Sequence, residues 1–324
     1  MSSILCASSI SPASPASPAL HAGPLRFRGL WIPLVTPFLH DGSVDHAALA
    51  ALTARMRAAG VSGVVACGST GEAAALSKHE QLAVLETVLQ AALDLPVVMG
   101  LSGYHLGQTI EQIQALAAYP PLAGILVPAP HYIRPSQEGL LHWFRAIADA
   151  SAVPLIVYDI PYRTGAVLAT DTLLSLASHP RIVALKDCAG DMAKTQALMA
   201  DGRLDILAGE DAQIFSTMAL GGAGAIAASA HWQTERFVQL MHQLAHGDLP
   251  AARSTWQALL PWVQACFAEP NPAPLKAVLA QAGWMHNLLR APMMPATPAL
   301  TQRLQALAAG QESGLGVAAM HAGS

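Results

Sequence analysis

Lysine is scarce in this 324-residue sequence: Lys78, Lys186, Lys194 and Lys276 are the whole set, so each needs a reason. Charged residues make up 12% of the chain and aromatic residues 5%, against 53% hydrophobic. The 17 basic residues are scattered and the formal net charge is −4, which argues against a nucleic-acid partner. Cys6, Cys67, Cys188 and Cys266 lie far apart with no CxxC pair, so no disulfide framework or zinc knuckle is expected. Cys67 and Cys188 stand in apolar, strand-like surroundings and read as small buried side chains. A reducing, cytoplasmic location fits that cysteine usage. His131, His142 and His231 are dispersed without metal-ligand spacing, and no metal is expected. The G-x-G-x-x-G turn of a dinucleotide fold is also missing. Residues 68–71 read GSTG, and the GGAG of residues 221–224 precedes an apolar run where the fold would need it to follow one.

What is abundant is apolar sequence, with a mean hydropathy of +0.39. Residues 212–234 carry no acidic or basic group and are long enough to cross a bilayer. Yet Gln213, Ser216, Thr217, Gly221, Gly222, Gly224, Ser229 and His231 interrupt them. Such breaks suit a buried helix, a turn and a strand, and no membrane association is expected. Residues 1–25 are rich in Ser, Pro and Ala and lack a basic start followed by a continuous apolar segment. They read as a disordered tail, and residues 311–324, rich in Gly, Ser and Ala, as a frayed one.

Between the tails, short apolar runs alternate with longer amphipathic ones. Strand candidates fall at 30–36, 63–66, 96–100, 124–127, 154–158, 182–186, 204–208 and 224–227. Most are apolar without alternation, as parallel strands buried on both faces should be. Helical stretches at 45–59, 77–93, 137–150 and 211–220 lie between them, three opening on the capping residues Asp45, Ser77 and Asp211. Eight strand–helix units over some 200 residues fit a closed (β/α)₈ barrel, an α/β TIM barrel, better than a doubly wound sheet. The barrel is assigned to residues 26–230. Further helical stretches at 231–246, 251–267, 274–282 and 299–309 exceed the one closing helix a barrel needs. Residues 231–310 are therefore read as a closing helix and a C-terminal helical extension.

In such a barrel, functional groups collect at the C-terminal ends of the strands. Thr36, Ser69, Thr70, Glu72, Pro130, Tyr132, Tyr158, Lys186, Glu210 and Asp211 all fall there. Lys186 ends the apolar run Ile182-Val183-Ala184-Leu185. Burial disfavours the ammonium form, and a neutral amine can attack a ketone to form a Schiff base. By itself Lys186 could equally snorkel outward or pair with Asp187 or Asp191. Tyr158 ends the preceding strand, where a phenol could shuttle protons for that chemistry or simply fill the core. Ser69 and Thr70, flanked by glycines, suit a small carboxylate or an ordinary turn. Arg163 offers a fork for a second carboxylate, or is a surface arginine.

Five segments in order resemble the dihydrodipicolinate synthase / N-acetylneuraminate lyase family over roughly residues 30–295. They are Gly68-Ser69-Thr70-Gly71-Glu72, Tyr132-Ile133-Arg134-Pro135-Ser136-Gln137-Glu138-Gly139, Tyr158-Asp159-Ile160-Pro161-Tyr162-Arg163-Thr164-Gly165, Lys186-Asp187 and Glu269-Pro270-Asn271-Pro272. The resemblance implies a pyruvate-dependent class I aldolase or lyase that works through a lysine Schiff base without a cofactor. Lys186 resembles the Schiff-base lysine and Tyr158 the proton shuttle. Ser69 matches the hydroxyl linking Tyr158 to a second tyrosine, Tyr132, which in family dimers reaches a neighbouring subunit's site. Thr70, with Gly71, matches the pyruvate-carboxylate binder, Arg163 the receiver of an aldehyde substrate's carboxylate, and Ala227 a backbone carbonyl lining the lysine pocket. A homodimer or homotetramer is implied, with pyruvate and an aldehyde acceptor as substrates.

The expected activity is that of a 4-hydroxy-tetrahydrodipicolinate synthase. A sugar-acid aldolase or keto-deoxy acid dehydratase is the alternative, and a non-catalytic pyruvate- or amino-acid-sensing barrel a third reading. Ser69 stands where threonine is common in the synthases, Asp159 where asparagine is usual, and His131 where a tyrosine precedes Tyr132. The positions matching the lysine-inhibition site are Lys78, Gln81, Tyr104, Gln108 and His131. With Gln108 in place of a glutamate, little inhibition by lysine is expected.

Overall fold

The computed structural model describes residues 27–119 and 122–310. Eight parallel strands close into a barrel in chain order. They are β1 (Gly29–Pro33), β2 (Gly63–Ala66), β3 (Val97–Gly100), β4 (Leu122–Pro128), β5 (Leu155–Asp159), β6 (Ile182–Asp187), β7 (Asp205–Ala208) and β8 (Gly224–Ile226). β1 pairs with both β2 and β8, which completes the ring. Every expected strand exists, with ends shifted by a few residues. The first stops at Pro33, three residues early: beyond it Leu34 N–H still bonds the Val65 carbonyl, but Thr36 turns its hydroxyl to the Gly71 carbonyl.

Around the strands run α1 (His46–Ala58), α2 (Lys78–Ala92), α3 (Leu106–Ala115), α4 (Gln137–Ala150), α5 (Pro161–Thr164), α6 (Thr170–Leu176), α7 (Met192–Asp201), α8 (Ile214–Ala219) and α9 (Thr234–Ala245). Three more helices follow: α10 (Leu249–Cys266), α11 (Ala273–Gln281) and α12 (Pro298–Ala308). Two of the three predicted caps act as such. Asp45 accepts from Ala48 N–H, and Ser77 and Glu80 form a reciprocal capping box that satisfies two orphan donors of α2. Asp211 does not cap a helix as expected: it is the first residue of a short 3₁₀ turn, Asp211–Gln213, ahead of α8, and its carboxylate is turned to Ser229 instead of to the helix amides. The uncharged stretch 212–234 thus divides into that turn, α8, β8 and the start of α9. Among the described residues no helix is long and apolar enough to cross a membrane. The two tails expected at residues 1–25 and 311–324 lie outside the described residues.

Alternation along the strands divides the core in two. Outward-facing residues such as Val64, Val97, Ile125 and Leu185 pack beneath the helices. Inward-facing ones, including Val65, Val98, Leu126, Ile156, Ala184 and Leu207, fill the barrel. Phe27 and Trp31, with ring centroids 5.3 Å apart, plug the end where the strands begin. Gly63 makes room there, since a Cβ would lie 2.2 Å from the Trp31 ring. The opposite end stays open and carries the polar groups.

Candidate active site

The register of β5 against β6 pairs Ile156 with Ala184 and Tyr158 with Lys186. Paired residues on parallel strands face the same side, so Tyr158 and Lys186 both point into the barrel mouth. Lys186 Nζ lies 4.4 Å from the centroid of the Tyr158 ring. Lys186 is 5% exposed, so it does not snorkel to solvent, and its neighbour Asp187 is engaged elsewhere, by Thr195 Oγ1 and Ala189 N–H. Burial lowers the pKa of the Lys186 ammonium, while the carboxylates of Asp211 and Glu210 oppose that lowering. Burial likewise holds the Tyr158 phenol protonated, well above its usual range, with a contact from the Ser69 hydroxyl acting the other way.

Ser69, Thr70 and Gly71 form a 3₁₀ turn at the end of β2. Thr70 is buried, and its hydroxyl accepts from Asn271 Nδ2 at 2.9 Å, which leaves its own proton free to donate. The Gly71 carbonyl accepts from Thr36 Oγ1 at 2.7 Å, and a Cβ on Gly71 would lie 2.9 Å from the Leu34 carbonyl oxygen. Arg163, on the short helix α5, is exposed and lines a cleft of about 450 Å³ at the barrel mouth. Ser69, Tyr158 and Asn271 line the same cleft. Ala227 is fully buried just beyond β8, its N–H bonded to the Trp31 carbonyl. Tyr132 stands apart from the cleft wall. It is 88% exposed with φ 75°, and its N–H donates to the Thr164 carbonyl at 3.2 Å. His131, its neighbour, does line the cleft and meets the Tyr104 ring edge-on at 5.3 Å.

Several site contacts were not foreseen. Cys188 is buried, as expected, but inside the barrel, packed with Tyr158. Gly209 touches β6 closely enough that a Cβ would lie 2.4 Å from Cys188 Sγ and 2.8 Å from Lys186 Cγ. The Tyr162 hydroxyl donates to Glu210 Oε1 at 2.8 Å. Asp211 Oδ2 accepts from both Ser229 N–H and Ser229 Oγ at 2.6 Å, joining the loops after β7 and β8, and burial raises the Asp211 pKa to about 6.

The remaining lysines also have reasons. Lys194 donates to Asp159 Oδ2 at 2.6 Å and to the Leu168 carbonyl at 3.1 Å, behind the barrel wall that carries Tyr158. Buried Lys276 pairs with Glu72 and donates to the Leu288 carbonyl at 2.8 Å. Only Lys78, in the first turn of α2, is exposed. The carboxylate partners of these two lysines lie far away in the sequence, and no local pattern names them.

These features define a class: a (β/α)₈ barrel with a buried amine beside a buried, protonated phenol at the C-terminal mouth. Residues 26–311 match the profile of the Dihydrodipicolinate synthetase family. The "4-hydroxy-tetrahydrodipicolinate synthase" of Sorangium cellulosum is 39% identical over 285 residues, covering 86% of this chain and 94% of that protein. The "4-hydroxy-tetrahydrodipicolinate synthase 2" of Clostridium acetobutylicum is 35% identical over 284 residues, covering 86% and 99%. Among solved structures, the dihydrodipicolinate synthase from Acinetobacter baumannii, complexed with pyruvate, superposes with a TM-score of 0.84 at 30% identity, covering 87% of this chain and 99% of that one. The chain belongs to the dihydrodipicolinate synthetase family.

Proposed function

We propose that this protein is a pyruvate-dependent Schiff-base lyase that condenses pyruvate with aspartate 4-semialdehyde, as a 4-hydroxy-tetrahydrodipicolinate synthase does. The observation that carries the reading is the buried Lys186 amine set 4.4 Å from the ring of Tyr158. Neutral Lys186 attacks the pyruvate ketone to give a carbinolamine. The Tyr158 phenol gives its proton to the departing hydroxyl, water leaves, and an iminium remains. Loss of a methyl proton gives an enamine, which attacks the aldehyde of the acceptor. The product amine then displaces Lys186 during cyclisation. The nucleophile belongs to the protein, so the reaction needs no cofactor.

Thr70, with its free hydroxyl proton beside Gly71, suits the pyruvate carboxylate. Ser69 contacts the phenol and would pass its proton onward to Tyr132 of a second copy. The exposure of Tyr132 supports a homodimer or homotetramer. Ala227 would line the lysine pocket through its carbonyl. Arg163 on the cleft favours a small acidic acceptor over a sugar. In domain terms, residues 26–230 form the barrel and 231–310 the closing helix and extension, and a cytoplasmic setting fits. With Gln108 lacking a carboxylate, weak feedback by lysine is part of the same reading.

A panel of aldehydes with and without a carboxylate, scored by kcat/KM with pyruvate, tests the acceptor. Aspartate semialdehyde should lead, and Arg163→Ala should cost it on the order of 10²-fold while sparing uncharged aldehydes. A preference for sugar aldehydes would replace this reading with the sugar-acid aldolase.

A further inference from the structure

The bond between Tyr162 and Glu210 has no part in the scheme above, yet it spans the site. Tyr162 lies on α5, after β5, and Glu210 follows β7. Their 2.8 Å hydrogen bond crosses the end of β6, the strand that carries Lys186 and leads into Cys188. Gly209 fixes the base of this bridge. Its N–H donates to the Asp187 carbonyl at 2.9 Å, and the absence of a side chain lets the β7 loop lie against Lys186 Cγ and Cys188 Sγ. Glu210 is half-buried, where its charge is only partly screened by water.

We propose that Glu210, aimed by Tyr162, is a positioning residue that sets the charge balance of Lys186, favouring its ammonium and iminium forms. The proposal rests on Lys186 being the Schiff-base lysine. The groups that face this amine are the Tyr158 phenol from β5, Arg163 from α5, the Cys188 thiol beyond β6, and the carboxylates of Glu210 and Asp211 beyond β7, while Tyr162 reaches it through Glu210. Among them Asp211 is already spoken for by two donors of Ser229. Glu210 accepts from two neutral donors, the Tyr162 hydroxyl and the Cys188 thiol, and Cys188 lies beside Lys186, so the half-buried carboxylate is held where it can answer a developing positive charge. Arg163 opposes it, so removing Glu210 would leave the amine facing a net more positive surround.

The test is the pH dependence of pyruvate capture, read as the rate at which borohydride-trapped adduct appears by intact-protein mass. In Glu210→Gln the acid limb of that rate should move about half to one pH unit lower, equivalent to about three- to tenfold more free amine below the midpoint. Glu210→Asp should restore the limb toward the wild-type position. Tyr162→Phe should shift it in the same direction as Glu210→Gln but less. Because Tyr162 is exposed, its loss leaves the fold intact and keeps the test available if the glutamine variant folds poorly. A folded Glu210→Gln protein whose limb stays within about 0.2 pH unit of wild type would overturn the proposal. Absence of any adduct in the wild-type protein would instead overturn the underlying Schiff-base reading.

Discussion

Tyr158 and Lys186 are partners in the β5–β6 ladder, and that pairing sets the phenol beside the amine. Two adjacent parallel strands, ending at the same level, deliver both groups to the barrel interior. Removing the phenol alone should therefore leave the fold and the amine intact. Tyr158→Phe should lower kcat by roughly two to four orders of magnitude, as loss of a positioned proton donor does. Borohydride trapping at long incubation should still modify Lys186. A Tyr158→Phe enzyme with unchanged kcat would remove the phenol from the mechanism.

Gly209 is not conformationally special, and its value is space. A methyl there would meet Cys188 Sγ at 2.4 Å, Lys186 Cγ at 2.8 Å and the Asp187 carbonyl oxygen at 3.0 Å. Gly209→Ala should displace Lys186 and slow adduct formation by on the order of 10²-fold, the scale of a 1 Å misplacement. Truncating Cys188 to alanine in the same protein removes the closest clash and should recover part of the rate. Equal rates in all three proteins would show that the loop yields freely.

The Glu72–Lys276 pair ties the turn after β2 to α11 and is buried at both ends. Breaking a buried pair leaves one charge uncompensated, which costs about 3–5 kcal/mol. Lys276→Met should lower stability by that amount in denaturant titrations. Adding Glu72→Gln should restore most of it, since no bare carboxylate then remains. A double variant as unstable as the sum of the singles would contradict this coupling.

His231 is fully buried and bound on both sides. Its Nδ1 meets the Ala228 carbonyl at 2.8 Å and its Nε2 accepts from Val35 N–H at 3.2 Å, so the ring is neutral with its proton on Nδ1. Burial lowers its pKa from 6.5 to about 4. The unfolded chain thus binds the proton more readily than the folded one. The stability that neutral His231 supplies is complete above pH 6.5 and is lost as pH falls toward 4, by at most roughly 3 kcal/mol. The stability difference between wild type and His231→Gln, followed from pH 7 to 4, should shrink or reverse over that window. A constant difference would mean that the ring titrates normally.

The fold was legible because apolar runs of strand length recurred eight times and the caps Asp45 and Ser77 marked helix starts. Ends were less legible, since hydrogen bonding in the finished barrel decides them: Pro33 ends β1, while Asp159 and Asp187 extend β5 and β6 beyond the apolar runs. At the site, Lys186, Tyr158, Ser69, Thr70 and Arg163 could be placed because each closes a strand or follows one. Asp159 and Asp187 turn away from the mouth, toward Lys194 and Thr195. Cys188, two residues beyond Lys186, returns to the interior, a consequence of strand alternation that composition alone does not reveal. Contacts such as Tyr162–Glu210 and Asn271–Thr70 join loops distant in sequence and follow only from the closed ring.

Whether Lys186 forms a Schiff base with pyruvate is tested directly by incubating the protein with pyruvate and borohydride and mapping the modified peptide by mass spectrometry. One reduced pyruvate adduct is expected, on Lys186, absent in Lys186→Ala, with Lys78, Lys194 and Lys276 unmodified. No adduct, or an adduct that persists in Lys186→Ala, would contradict it.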